Sequence, residues 1–248
     1  MAAVKAPNRL LIAETTRFCP GCGHGIANRL LVEVLEEMGL INKAIITVDV
    51  ACGCMQWKTW NVDTIMSAHG RDVAVAVGVK SVRPFNPSIV YVGDGAAYSI
   101  GLAETMHAAL RNNNVTVVVV NNGVYGMTGG QMSPTTMEGQ KTTSSPSGRN
   151  AKKTGKPFDI VDVMGKLNIA YLARGSMHNA NEIRNCKKYL GKAIEKQMNN
   201  AGFSLVELLA PCPTNWNMSP VNSMKRIKEE LCSYYDIGEF IDGGRQIV

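Results

Sequence analysis

Val115-Thr116-Val117-Val118-Val119-Val120 is the segment that most limits what this chain can fold into. Six consecutive β-branched residues favour an extended backbone. They leave no polar face, so a strand built from them must be covered on both sides, as central strands of parallel sheets are. Ala44–Val48, Ser88–Val92 and Phe203–Leu209 are near-continuous apolar runs of the same kind. Between the runs lie helical patterns. Ile26, Leu30, Leu31, Val34, Leu35 and Met38 keep helical spacing, with Gly39 placed to end the helix, and Tyr98–Arg111 and Ala180–Met198 read as further helices. Alternating strands and helices predict an α/β fold, a doubly wound and mostly parallel sheet. Asp72–Val79 alternates like a strand, but His69-Gly70-Arg71 before it and Pro84 after it favour a helix. The stretch 133–157 is rich in Thr, Ser, Gly and Lys, and a loop of that length is either a functional lid or disordered. No internal repeat or interdomain linker is visible. The expectation is one domain over residues 1–248, opening on a cysteine-bearing segment and closing on an extension from about residue 213.

Charge and cysteine content narrow the function classes. Seven cysteines is an odd number, and no export signal accompanies them, so reduced thiolates are expected rather than disulfides. No apolar run approaches the ~18 residues of a membrane span, and the expected location is the cytoplasm. The net charge of +6 is modest. Lys141, Arg149, Lys152, Lys153 and Lys156 supply much of it, as a solvated basic loop or a patch for an anionic partner. No nucleic-acid-binding motif is present.

Two constellations carry chemistry. In the first, the strand Ser88–Val92 runs into Gly93-Asp94-Gly95, and Val115–Val120 runs into Asn121-Asn122. Glycine lets backbone approach a phosphate, and an Asp from one strand end with an Asn from the next supplies oxygen ligands for Mg²⁺ beside a diphosphate. Two ordinary βα turns would use the same residue types. The second is Cys19-Pro20-Gly21-Cys22, with Cys212 far downstream and Cys52 and Cys54 competing as a third ligand. That set suits either a tetrahedral zinc or an iron–sulfur cluster, and spacing alone does not choose.

Gly93-Asp94-Gly95 with Asn121-Asn122 resembles the motif of thiamine diphosphate enzymes, and so implies their fold. Tyr125–Gln131, Ser133-Pro134-Thr135-Thr136, His69-Gly70-Arg71 and the opening CPGCGHG are similar to the β subunit of 2-oxoacid:ferredoxin oxidoreductases. This resemblance spans about Phe18 to Trp216. It implies Mg²⁺ held by Asp94, Asn122 and the carbonyl of Val124. Thiamine diphosphate would then be met by Cys22, Gly23, His24, Gly53, His69, Gly93, Asp94, Gly95, Asn122, Val124, Met127 and Thr128, with His24 and His69 near the chemistry. It further implies a 4Fe-4S cluster on Cys19, Cys22, Cys52 and Cys212, since the family pattern, counted back from Asn61-Val62-Asp63, favours Cys52 over Cys54.

The implied reaction is oxidative decarboxylation of a 2-oxoacid to acyl-CoA and CO₂, with electrons passed through the cluster to ferredoxin. No glutamate here sits in a motif that could activate thiamine, so an α subunit would supply it, with γ and δ (ferredoxin-like) subunits beyond. The overall look is closest to the 2-oxoisovalerate type. Relatives often carry a second acid where this chain has Ala96, and some a lysine near the substrate where it has Met55. Two other classes fit the residues: a non-redox thiamine decarboxylase subunit with a structural zinc, and a zinc-binding interaction module using the basic loop. Glu104 and His107, one helical turn apart, and the thiols Cys186 and Cys232 read as structural.

Overall fold

The computed structural model describes residues 16–247. Its principal sheet contains β1 (Ile45–Val48), β2 (Asp63–Met66), β3 (Ser88–Gly93) and β4 (Thr116–Asn121) from the first half of the chain. A separate two-stranded hairpin, β5 (Val124–Tyr125) with β6 (Gln131–Met132), follows β4. The sheet is completed by β7 (Tyr171–Ser176), β8 (Ser204–Leu209), β9 (Gly238–Asp242) and β10 (Arg245–Gln246), in the order β10-β9-β7-β8-β4-β3-β1-β2. All pairings from β7 to β2 are parallel, and β9 and β10 add an antiparallel margin. The expected doubly wound α/β fold is what the chain adopts.

The helices are α1 (Gly23–Glu37), α2 (Asp72–Val82), α3 (Leu102–Leu110), the short α4 (Ala151–Thr154) and α5 (Ile160–Met164), and α6 (Ala180–Met198). After β8 come α7 (Pro213–Trp216), α8 (Pro220–Arg226) and α9 (Cys232–Tyr234). The valine run of β4 divides its side chains between the two layers. Val118 and Val120 join a core with Leu31 and Leu35 of α1 and Leu190 and Ile194 of α6, while Val117 and Val119 face Ala76 of α2 and Ala108 of α3. All four valines are fully buried, each contributing about 1.5–3 kcal/mol.

Several elements depart from the sequence pattern, each for a physical reason. Asp72–Val82 is a helix, as its flanking residues indicate. The segment expected to be helical from Tyr98 to Arg111 begins instead as a π turn over Ala96–Ile100 and becomes regular only after Gly101. A Cβ on Gly101 would lie 2.5 Å from the carbonyl oxygens of both Ala96 and Gly70. β2 is short, exposed throughout and at the sheet edge, so its pattern is weak. β7 carries Arg174-Gly175-Ser176 and does not read as a buried strand, yet all six of its residues are buried. Arg174 is tolerated because Glu207 stands opposite on β8 and pairs with it, and Asp159 lies 2.5 Å from Nη2.

Candidate active site

In a parallel sheet every strand delivers its next residue to the same edge, where ligands of open α/β sheets bind. Here β1 delivers Asp49, β2 Ser67 and His69, β3 Asp94, β4 Asn121 and Asn122, and β8 Cys212. A pocket at this edge is lined by His24, Gly53, His69, Gly93, Asp94, Gly95, Asn122 and Val124 from the expected cofactor residues. Asp49, Cys52, Tyr125 and Gly126 complete much of its wall. Met127 and Thr128 lie off the pocket: Met127 is exposed, and Thr128 Oγ1 is 2.5 Å from Gln131 Oε1.

The β3 and β4 tips face each other. Asp94 is buried; Oδ1 accepts from the Asn122 N–H at 3.4 Å and Oδ2 from Thr135 Oγ1 at 2.6 Å. Burial pushes its carboxyl up to about 6, against the hydrogen bonds, which favour the charged form. Asn122 Oδ1 accepts from Val124 N at 3.2 Å, and Trp216 Nε1 donates to the Asn122 carbonyl at 3.0 Å. Gly123 between them has φ +66°, a left-handed turn that folds the Asn122 side chain over its own backbone. Asn121 turns inward: Nδ2 donates to Glu207 Oε1 at 2.9 Å, and Oδ1 lies 2.9 Å from Thr135 Oγ1. A buried polar chain therefore runs from Asp159 through Arg174, Glu207, Asn121 and Thr135 to Asp94. Gly95 is closed on by Tyr125, whose Cε1 would sit 2.3 Å from any Cβ there.

The thiols gather beside the pocket. Cys22 lies within electrostatic reach of Cys212, Cys52 and Cys19, and Cys52 within reach of Cys212 and Cys19. Around Gly126, Cys52 Sγ lies 3.2 Å and Cys212 Sγ 3.9 Å from the position a Cβ would take. Cys54 is near Cys52 and Asp49 but does not bear on Cys22 or Cys212 as Cys52 and Cys19 do. Burial drives the Cys22 and Cys52 thiols up to about 12 and raises Cys212, so ligation must displace their protons. Asn215 Nδ2 donates to Cys212 Sγ at 3.3 Å and also to the Gly126 carbonyl at 3.2 Å. Among the described residues, no three His, Cys, Asp or Glu side chains converge as the ligands of a single ion.

His24, at the start of α1, is buried, lies 2.9 Å from Tyr91 Oη through Nδ1, and stacks on Phe18 at 5.4 Å. Burial lowers it to about 4, so its ring is neutral. His69 is partly exposed and stands with Nδ1 3.3 Å from Asp49 Oδ2; that contact raises its pKa, against the effect of burial.

The segment 133–157 is neither a disordered stretch nor a free lid. Arg149 of the expected basic patch is buried, and its guanidinium donates to the carbonyls of Ser133, Pro134, Thr136, Gly155 and Lys156, among others. That knot presents Thr135 to Asp94. Six carbonyls, that of Thr154 included, draw the charge inward and leave the lysines as the solvated part.

The structural assignments of the remaining candidates agree with their positions. Glu104 pairs with Arg71, His107 is on α3 away from the pocket, and buried Cys186 donates to the Ser176 carbonyl at 3.4 Å. Cys232 lies 3.6 Å from Ser176 Oγ; Met55, by contrast, was expected near the substrate and is not part of the pocket lining. Asp49, Asn215 and the anchoring role of Trp216 were not foreseen. The last two stand within Pro211–Trp216, but Asp49 gives no signal beyond an acid following an apolar run.

Residues 47–208 match the family of the thiamine pyrophosphate enzyme C-terminal TPP binding domain. The chain is 36% identical over 228 residues to the ketoisovalerate oxidoreductase subunit VorA of Methanothermobacter thermautotrophicus, covering 92% of this chain and 48% of that protein. It thus spans about half the length of that relative. It is 34% identical to the 2-oxoglutarate synthase subunit KorB of Archaeoglobus fulgidus, covering 87% of this chain and 77% of that one. Among solved structures it resembles a 2-oxoglutarate:ferredoxin oxidoreductase from Magnetococcus marinus with 2-oxoglutarate, coenzyme A and succinyl-CoA bound. The TM-score is 0.75 and the identity 27%, over 91% of this chain and 74% of that one. With these likenesses joined to the paired strand tips and the neighbouring thiols, the chain belongs to the thiamine pyrophosphate enzymes, among the 2-oxoacid:ferredoxin oxidoreductase subunits.

Proposed function

We propose that this chain is the β subunit of a 2-oxoacid:ferredoxin oxidoreductase. It would form acyl-CoA and CO₂ from a 2-oxoacid and pass electrons through a 4Fe-4S cluster to ferredoxin. The observation that carries the reading is a pocket with the Asp94–Asn122 pair on one wall and Cys52 on another. Asp94, the Asn122 side chain and the Val124 carbonyl would hold Mg²⁺ beside a diphosphate. The fit is good: a buried carboxylate oriented by Thr135 is an oxygen donor already withdrawn from water. Thiamine diphosphate, when bound, supplies the nucleophilic carbon and the electron sink that decarboxylation requires.

The chain's own residues do the rest. The close approach of Tyr125 to Gly95 shapes the floor, and neutral His24, fixed by Tyr91, offers a hydrogen bond without charge. Cys19, Cys22, Cys52 and Cys212 would hold the cluster, with Cys52 rather than Cys54 as third ligand because it is the one electrically coupled to the other three. Asn215, donating to Cys212 Sγ, would tune its potential. Met127 and Thr128 would reach the diphosphate from the hairpin turn.

The glutamate that activates thiamine would come from an α subunit, with γ and δ subunits carrying electrons onward. The preferred substrate class is branched-chain, 2-oxoisovalerate foremost, in line with the 36% identity to the ketoisovalerate enzyme subunit. No helix among the described residues is long and apolar enough to cross a membrane, which suits action in the cytoplasm.

The test is anaerobic purification of the chain with its partner, assayed for iron, sulfide and 2-oxoacid-dependent reduction of a viologen dye. Brown, iron-bearing protein that reduces the dye with CoA supports the reading. Colourless, zinc-bearing protein that decarboxylates without reducing the dye would replace it with the non-redox alternative.

A further inference from the structure

The proposed reaction leaves one buried charge without a task. Asp49, at the end of β1, is fully buried, and neither carboxylate oxygen receives a well-directed hydrogen bond. It also lines the pocket. A carboxylate withdrawn from water without donors is strongly disfavoured unless a cation stands beside it. The group beside it is His69, 3.3 Å away through Nδ1, an ion-pair contact.

His69 is the pocket's one candidate for that cation. No Lys or Arg lines the pocket among the described residues, and His24 is held neutral. The groups facing His69 push one way: Asp49 at contact and Asp72 at the start of α2 both favour its protonated form, against burial. The Tyr125 ring meets it edge-on at 6.1 Å from the hairpin. The pocket's other titratable groups are Asp94, His24 and Cys52, and Cys54 lies near Asp49. Among the described lining residues, the pocket thus has one side chain whose surroundings favour a cation, held by its Nδ1 against a buried acid.

We propose that Asp49 is a positioning residue, holding His69 by Nδ1 so that Nε2 presents a proton to the keto oxygen of the 2-oxoacid. The inference rests on the function proposed above. As a bond forms at the keto carbon, the C=O π pair moves to oxygen, which takes the Nε2 proton. The ring is left neutral and regains a proton from solvent at the pocket mouth. A purely structural Asp49 would only support the Cys52–Cys54 turn, where a Cβ on Gly53 would lie 2.8 Å from Oδ1.

The test uses the assembled complex with wild-type chain, Asp49→Asn, Asp49→Glu and His69→Gln. Two pH series are read: kcat/KM for the 2-oxoacid, and the thermal unfolding midpoint without substrate. In Asp49→Asn, kcat/KM should fall roughly tenfold at neutral pH and its alkaline limb should move about one pH unit lower. KM for coenzyme A should hold, and Asp49→Glu should restore the limb. A histidine raised in the folded state gives stability that is complete below its ordinary pKa and lost as pH rises through the folded value. The wild-type advantage in midpoint over Asp49→Asn should therefore shrink with rising pH. If Asp49→Asn does not fold, His69→Gln carries the comparison: the alkaline limb should be lost with it and kept in Asp49→Glu.

An active wild type whose alkaline limb is unmoved by Asp49→Asn, or a midpoint difference flat in pH, overturns the role of Asp49. A wild-type complex inactive on every 2-oxoacid, with a pH-dependent midpoint difference, overturns the functional reading instead.

Discussion

Replacing Arg174 with methionine tests whether the buried polar chain behind Asp94 works as one unit. Arg174 and Glu207 are each about 1% exposed, and the guanidinium also reaches Asp159 and donates to the Asp236 carbonyl at 3.1 Å. It lies over the Tyr235 ring at 4.9 Å. Methionine keeps most of the stem's packing but strands Glu207, which keeps Asn121 Nδ2 as a donor at 2.9 Å. Removing one partner of a buried pair costs about 3–5 kcal/mol. At ~2–4 °C per kcal/mol for a chain of this size, the unfolding midpoint should drop by roughly 6–20 °C. Adding Glu207→Gln removes the stranded charge and should recover a substantial part of the loss. Because Glu207 holds Asn121, and Asn121 shares Thr135 with Asp94, the single variant should also bind Mg²⁺–thiamine diphosphate more weakly by calorimetry. A midpoint change under ~2 °C, or a double variant no more stable than the single, would refute the reasoning.

Thr135→Val removes a hydrogen bond to a buried carboxylate, and such bonds contribute about 1.5–3 kcal/mol, so calorimetry should show Mg²⁺–thiamine diphosphate affinity reduced ~10–100-fold, with Thr135→Ser near wild type. Cys52→Ser should abolish the iron and sulfide content of anaerobically purified protein, whereas Cys54→Ser should retain it. Burial raises the Asp72 carboxyl to about 6, so folding favours its neutral form; that contribution is complete below about pH 4 and is lost as pH rises through 6. Asp72→Asn, which keeps the neutral shape, should therefore raise the unfolding free energy from denaturant titration at pH 7 by at most ~3 kcal/mol, and the gain should vanish below about pH 4.

Strands whose burial is achieved with apolar residues alone were legible. β3, β4 and β8 announce themselves because nothing in them competes with the hydrophobic pattern. β7 was not, because its burial depends on an ion pair whose other half lies on β8, and no local pattern encodes a partner 33 residues away. The helix after Asp94 was overextended at its start because the π turn and the Gly101 approach to Gly70 are tertiary facts. In the candidate site, residues in short motifs at strand ends were legible as candidates, and the fold brings Asp94, Asn122 and Cys212 to one sheet edge. Asp49 was missed because its significance lies in what surrounds it, an unmatched carboxylate against His69. Arg149 was placed in solvent because lysines around it are solvated, and only the fold reveals the six carbonyls that claim it.

The segment Cys212–Trp216 ties the sulfur-bearing side of the site to the Asn122 turn through Asn215 and Trp216. If an electron crosses from an organic cofactor to a cluster there, its tunnelling rate falls exponentially with the gap between them. Five residues of backbone then act as a spacer that makes both ends move together, so thermal motion of either one leaves the gap unchanged. Damage confined to Asn215, which bridges Cys212 and Gly126, would slow transfer while leaving Cys212 and the Asn122 turn in place.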